Sequence, residues 1–140
     1  MLRDALFHHV GIAAESIEKT VALFVEAGYS IKDTVFDPKQ NVRISFLQKE
    51  GNSLLELVEP ADNNSSVGNI VKKVGVSAYH FCYEVDSLDY SIAQLRHMKY
   101  ILLVKPEQDT AYSELINSAK FANCLVRLSL YYELTQKDVE

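Results

Sequence analysis

The feature that most constrains this chain is that it says nearly the same thing twice. Shifting the sequence by 71 places sets His9 on His80, Glu15-Ser16-Ile17 on Asp86-Ser87-Leu88, Val21-Ala22 on Ile92-Ala93, Phe24 on Leu95 and Tyr29 on Tyr100. A period this long is not that of a solenoid, which stacks several short units. Two copies read as a duplicated supersecondary module, and 140 residues suit one domain built from both.

Each copy has the same internal order. An alternating apolar strand comes first, "FHHVGIA" or "YHFCYEV", in which successive side chains go to opposite faces. An acid-Ser pair then opens a helix, with Ser16 or Ser87 as N-cap and Glu18 or Asp89 in the first turn. Ile17, Val21 and Phe24, like Leu88, Ile92 and Leu95, recur at helical spacing and give each helix one apolar stripe to lay on a sheet. Strand-like runs follow, "SIKDTVF", "NVRISFLQ" and "SLLELVEP" in the first copy, "ILLVKP", "NCLVRLS" and "LYYELTQ" in the second. The expected fold is therefore α+β: two βαβββ modules, about 5–60 and 77–136, forming an open, curved mixed sheet around a central cleft. The connector, about 61–76, opens with turn formers and continues as a short helix from Val67 to Val74 ended by Gly75. "PEQDTAYSELINSAKFA" reads as a loop with some helix.

Composition excludes several classes of function. Hydrophobic residues make up 48% and the net charge is -5, as expected of an ordinary soluble globular protein. The basic residues are scattered, and the pair Lys72-Lys73 is too small for a nucleic-acid-tracking stripe. Charge interrupts the apolar runs well before they could span a bilayer, and the start "MLRDALFHHV" lacks a signal-peptide core. No nucleic acid and no membrane are expected as partners, and the expected compartment is the cytoplasm. Cys82 and Cys124 are too few and too far apart for a CxxC site, and both read as buried thiols.

The repeat also carries chemistry. The first strand of each copy holds a histidine, His9 or His80, and the last a glutamate in one local phrase: Glu56 before Leu57, Glu133 before Leu134. His9 and Glu56 are 47 positions apart and His80 and Glu133 are 53, a difference that one longer loop absorbs. Two copies of a module tend to pack about a pseudo-two-fold axis, which would bring the four side chains together. Two imidazoles and two carboxylates suit one octahedral divalent ion with two positions open. Taken singly, a histidine in an apolar strand is usually a satisfied core group and a strand glutamate usually faces water. Recurrence of the pair in register is what favours a ligand role.

At these residues the sequence resembles a known family. "HHVGIAAESIEKTVALFVEAGY", "LLELVEPADNNSSVGNIVKKVG", "YHFCYEVDSLDYSIAQLR" and "YELTQ" look like the vicinal oxygen chelate superfamily, and within it the methylmalonyl-CoA epimerase and glyoxalase I families. The resemblance covers nearly the whole chain, best from Phe7 to Pro60 and from Tyr79 to Arg96. It implies paired βαβββ modules around a metal cleft, with His9, Glu56, His80 and Glu133 as ligands of cobalt, nickel, manganese, zinc or magnesium. Two departures stand out: "NVRISFL" holds no acid where some epimerases place a second catalytic carboxylate, and "SAKFANCLVRLSLYYELTQ" shortens the family's terminal hairpin. Epimerases also commonly carry Gln where Glu56 stands, whereas Glu matches the glyoxalase I pattern.

The chemistry implied is removal of a proton beside a carbonyl or thioester through a metal-stabilised enolate. Glu133 is the expected base, leaving or sharing the metal during turnover, and Glu56 is the symmetric candidate. The expected partner is a small-molecule substrate, an acyl-CoA thioester or a hemithioacetal; homodimers are common among the relatives. Two alternatives stand beside this. A metal-free protein of the same fold could sequester small molecules or antibiotics. An iron dioxygenase would use two His and one carboxylate, against which Glu56 argues. Arg43 could meet a substrate carboxylate, but a strand Arg more often faces solvent. His8 points to the other side of its strand from His9, and His97 closes the second helix, where a cation is favourable.

Overall fold

The structure, a computed structural model, describes residues 2–38, 40–102, 112–117 and 125–130. It is mixed α+β, with three α-helices among the described residues. The chain divides into two compact units, His9–Tyr79 and Met1–His8 with His80–Glu140.

The His9–Tyr79 unit takes in most of β1 (Leu6–Ala13), then α1 (Ile17–Glu26), β2 (Ser30–Ile31), β3 (Val35–Asp37), β4 (Val42–Gln48), β5 (Leu54–Pro60) and α2 (Ser66–Val74). The strands lie in the order β2-β4-β5-β1, with β3 also on β4. β1 runs parallel to β5 and the other pairs are antiparallel, so the sheet is mixed and open. The run read as one strand, "SIKDTVF", is two. Ile31 lies opposite Leu47 and Val35 opposite Ile44, so four steps on one side match three on β4. One extra residue is a β-bulge, which breaks an edge strand while both halves stay on the same neighbour. Thr34, within the break, is tied to buried Ser45 by a 2.6 Å hydroxyl contact.

α1 starts and stops where its sequence dictates. The Ser16 hydroxyl accepts from the Lys19 amide, and the carboxylate of Glu59, on β5, accepts from the amide of Ile17. These satisfy two of the donors that a helix start leaves without an intrahelical partner. At the other end Gly28 takes φ +97°, a conformation that a side chain would strain, and Lys49 Nζ donates to the Ala27 carbonyl at 2.7 Å. The apolar stripe packs as its spacing predicts: Ile17, Val21 and Phe24 meet Leu47 and Leu57, flanked by Ile12, Tyr29 and Leu55. Leu47 and Leu57 are fully buried, and each such side chain contributes roughly 1.5–3 kcal/mol. α2 ends at Gly75, with exposed Lys72 and Lys73 in its last turn, where cations complement the helix dipole.

The second unit holds β6 (Ser77–Val85) from His80 onward, α3 (Leu88–His97), β7 (Tyr100–Leu102), β8 (Tyr112–Asn117) and β9 (Leu125–Leu130). Its order is β6-β9-β8-β7, with β6 and β9 parallel and the other pairs antiparallel. Ser87 caps α3 by accepting from the Tyr90 amide, and His97 lies exposed in the last turn. β8 corrects the expectation of loop with some helix around Tyr112. Its polar, turn-rich lead-in masks a run that pairs on both edges, and pairing decides strand formation more than propensity does.

The register also qualifies the repeat. On β5, Leu54 pairs with His9, and Glu56 lies two places on; on β9, Leu125 pairs with His80, and Arg127 lies two places on. By register the counterpart of Glu56 is thus Arg127, six places before Glu133. The described strands therefore do not reproduce the match between the two Glu-Leu phrases. The run "LYYELTQ", with Glu133, lies outside the described residues, as does Cys124.

Candidate functional site

Strand alternation sorts the His9–Tyr79 unit into two faces. Ile12, Leu47, Leu55 and Leu57 turn toward α1. Their immediate neighbours on each strand must turn away, and these include Gly11, Phe46 and Glu56. Register sets these three in one row: Gly11 is opposite Glu56 on one side and Phe46 is opposite Glu56 on the other. His9, two places before Gly11, projects from the same face.

His9 and Glu56 therefore meet. His9 Nε2 stands 3.6 Å from Glu56 Oε1, and the two residues are only 3% and 5% exposed. The Phe46 ring makes a T-shaped contact with the His9 imidazole, centroids 5.5 Å apart and planes at 83°. The 3.6 Å separation is longer than a hydrogen bond. Two donors each about 2.1 Å from a shared ion stand roughly 3.0–3.6 Å apart for angles of about 90–120°. The pair therefore fits two ligands of one divalent ion, and its nitrogen and oxygen donors suit zinc, manganese, cobalt or nickel over soft metals.

His80, on β6, is fully buried. Glu133, the fourth residue singled out by the sequence, lies outside the described residues.

Arg43 is on the opposite face from Glu56. Its Nε donates to Glu59, the residue that also receives the α1 amide, and its side chain is 44% exposed. It is engaged in holding the helix side of the sheet.

Sequence reading missed Glu84. In the unit that contains Met1–His8, His8 Nε2 lies 3.5 Å from Glu84 Oε1, with the side chains 12% and 9% exposed. Burial holds the Glu84 carboxyl above its ordinary range. On the other face of the same strands, Phe7 packs against Phe81 and Tyr83, centroids 6.4 and 5.6 Å apart. The signal was present in "YHFCYEV", where an acid occupies a position that alternation aligns with His80 and buried Cys82. Among the described residues no helix is long and apolar enough to cross a membrane.

Comparison with known proteins agrees with this architecture. Residues 8–116 match the family model described as the Glyoxalase/Bleomycin resistance protein/Dioxygenase superfamily. The mitochondrial methylmalonyl-CoA epimerase of Bos taurus is 28% identical over 98 residues, covering 69% of this chain and 55% of that protein. The chain thus spans about half the length of the curated relatives it matches. Among solved structures, a hypothetical protein from Bacillus halodurans superimposes with TM-score 0.78 at 22% identity, over 91% of this chain and 94% of that one. A variant of Streptomyces coelicolor methylmalonyl-CoA epimerase, in complex with 2-nitronate-propionyl-CoA, gives TM-score 0.71 at 22% identity, over 89% and 96%.

Proposed function

The chain belongs to the Glyoxalase/Bleomycin resistance protein/Dioxygenase superfamily, and from that premise we propose that it is a divalent-metal-dependent enzyme of the methylmalonyl-CoA epimerase or glyoxalase type. The observation that carries this reading is the buried His9–Glu56 pair, set at a separation that suits two ligands of one ion. His80 is the third donor in this reading and Glu133 the fourth. The substrate is an acyl-CoA thioester or a related α-carbonyl compound. The Streptomyces coelicolor epimerase, of like fold, holds a 2-nitronate-propionyl-CoA ligand, which supports that choice. The setting is the cytoplasm.

A divalent ion bound there supplies Lewis acidity to a carbonyl oxygen, where negative charge builds as the neighbouring proton leaves. The chain's own residues do the rest. His9 and Glu56 hold their donor atoms out of water, on a sheet face whose register fixes them. The Glu133 carboxylate takes the proton beside the carbonyl, and Glu56 is the alternative base. Return of the proton to the opposite face would epimerise the substrate; delivery to the adjacent carbon would isomerise it.

The test is metal content of the full chain, stripped and reloaded with divalent cobalt, nickel, manganese, zinc or magnesium, beside His9→Ala and Glu133→Ala. We expect about one ion per wild-type chain, as an N/O-donor site requires, and loss of it in both variants with circular dichroism unchanged. Solvent-deuterium exchange into acyl-CoA thioesters and hemithioacetals then separates the two outcomes. Uptake of no ion under any loading refutes the metal mechanism and leaves a small-molecule-binding protein.

A further inference from the structure

Histidine's second side-chain torsion is broad and roughly two-fold, so an imidazole does not by itself hold one face or one nitrogen toward a partner. His9 nonetheless aims Nε2 at Glu56. Within its unit the Phe46 ring also touches the imidazole, edge-to-face at 5.5 Å and 83°. Phe46 is also the cross-strand partner of Glu56, so one side chain adjoins both members of the pair. On the other side of Glu56 the row is completed by Gly11, which has no side chain to offer. Of the remaining β4 residues on this face by alternation, Gln48 is exposed and Val42 and Ile44 are aliphatic. They can fill space but give an imidazole no preferred orientation.

We propose that Phe46 is a positioning residue for the ligand pair: its ring fixes the plane of the His9 imidazole and shields the Glu56 carboxylate beside it from water. This rests on the reading of His9 and Glu56 as ligands. An edge-to-face contact biases ring orientation by about two- to twelvefold. Partners that orient a metal-binding histidine typically change metal affinity by about 10–100-fold when removed. Phe46 belongs at the low end, because it orients without a hydrogen bond.

The test compares Phe46→Leu, which keeps apolar volume, with Phe46→Tyr, which keeps the ring, and Phe46→Met, a flexible filler in case leucine perturbs folding. Divalent cobalt is titrated by calorimetry, and the carbon-bound imidazole protons of His9 are followed by NMR in the metal-free protein. Phe46→Leu and Phe46→Met should still bind one ion per chain, about tenfold more weakly, with the His9 signals shifted by loss of the neighbouring ring. Phe46→Tyr should retain both wild-type values. Equal cobalt affinity in wild type and Phe46→Leu overturns the proposal while leaving the ligand reading intact, as does an equal loss in Phe46→Tyr. Failure of the wild type to take up cobalt overturns the ligand reading, and the proposal with it.

Discussion

Replacing Glu59 should show how the sheet holds its helix. Glu59 Oε1 accepts from the Ile17 amide at 3.1 Å and Oε2 from Arg43, while its own side chain is 16% exposed. The first contact is a charge-assisted bond to a backbone donor that otherwise lacks a partner, worth about 1.5–3 kcal/mol, a range that includes the favourable placement of a carboxylate at a helix start. The second reaches a guanidinium 44% exposed; solvent screening leaves it about 0.2–1 kcal/mol. Glu59→Ala should therefore cost about 2–3 kcal/mol. Glu59→Gln keeps an acceptor for the Ile17 amide but loses the charge, and should cost about 1 kcal/mol. Arg43→Ala should cost less than about 1 kcal/mol. Urea unfolding of the three variants gives the order directly, and the largest loss corresponds to a melting-temperature drop of roughly 4–12 °C. Salt near 1 M should erase much of the Arg43 effect and spare most of the Glu59 effect, because only the exposed charge is strongly screened. The reasoning fails if Glu59→Ala unfolds within about 0.5 kcal/mol of wild type, or if Arg43→Ala costs as much as Glu59→Ala. In the latter case the ion pair, not the helix end, would carry the energy.

Leu57→Ala, at a fully buried site under α1, should lower unfolding free energy by about 2–5 kcal/mol, read from urea midpoints; a loss below about 1 kcal/mol would mean that the core collapses around the gap. Glu84 follows a pH rule. Its folded-state pKa is raised above 4.5 by burial, so the folded chain binds the proton more tightly than the unfolded one, and stability is lost as pH rises from about 4.5 through the folded value. Glu84→Gln should therefore be more stable than wild type near pH 8, an advantage that disappears by about pH 4; melting curves across that range check it, and equal stability at both ends would contradict it. Arg43→Ala should leave cobalt affinity at the wild-type value, since Arg43 lies on the face away from Glu56; a fall of tenfold or more in calorimetry would place it at the site after all.

The parts legible in the sequence are those that short-range chemistry settles. Ser16 and Ser87 cap the helices they precede, and the stripe at Ile17, Val21 and Phe24 finds the core. His9 and Glu56 could be chosen as partners because the sequence holds a second histidine and glutamate, His80 and Glu133, in like phrases, although the described register sets Arg127 where that match expected the counterpart of Glu56. What could not be read was pairing. The parallel register of β1 on β5 joins residues 45 places apart, as with His9 and Leu54, and no local pattern encodes that offset. Phe46 was invisible as a functional residue for this reason: only register brings it beside Glu56. The bulge between β2 and β3 falls at the polar residues Lys32, Asp33 and Thr34, and the reading of one strand ran past them because apolar residues stand on both sides. β8 was missed because its strand character comes from its two neighbours.

The division of the chain falls between two adjacent histidines. Residues Met1–His8 belong with His80–Glu140, whereas His9–Tyr79 is compact by itself. During synthesis, then, Phe7 and His8 are made well before the residues they pack against. The His9–Tyr79 unit can close its sheet as soon as β5 and α2 have left the ribosome, but Phe7 and His8 must wait for Phe81, Tyr83 and Glu84. Glu84 follows the end of α2 by ten residues, so at ordinary elongation rates that wait is roughly 0.5–2 s. For that interval the Phe7 ring is carried without its aromatic partners beside a folded body, and cellular factors that bind nascent chains have a defined window in which to meet it.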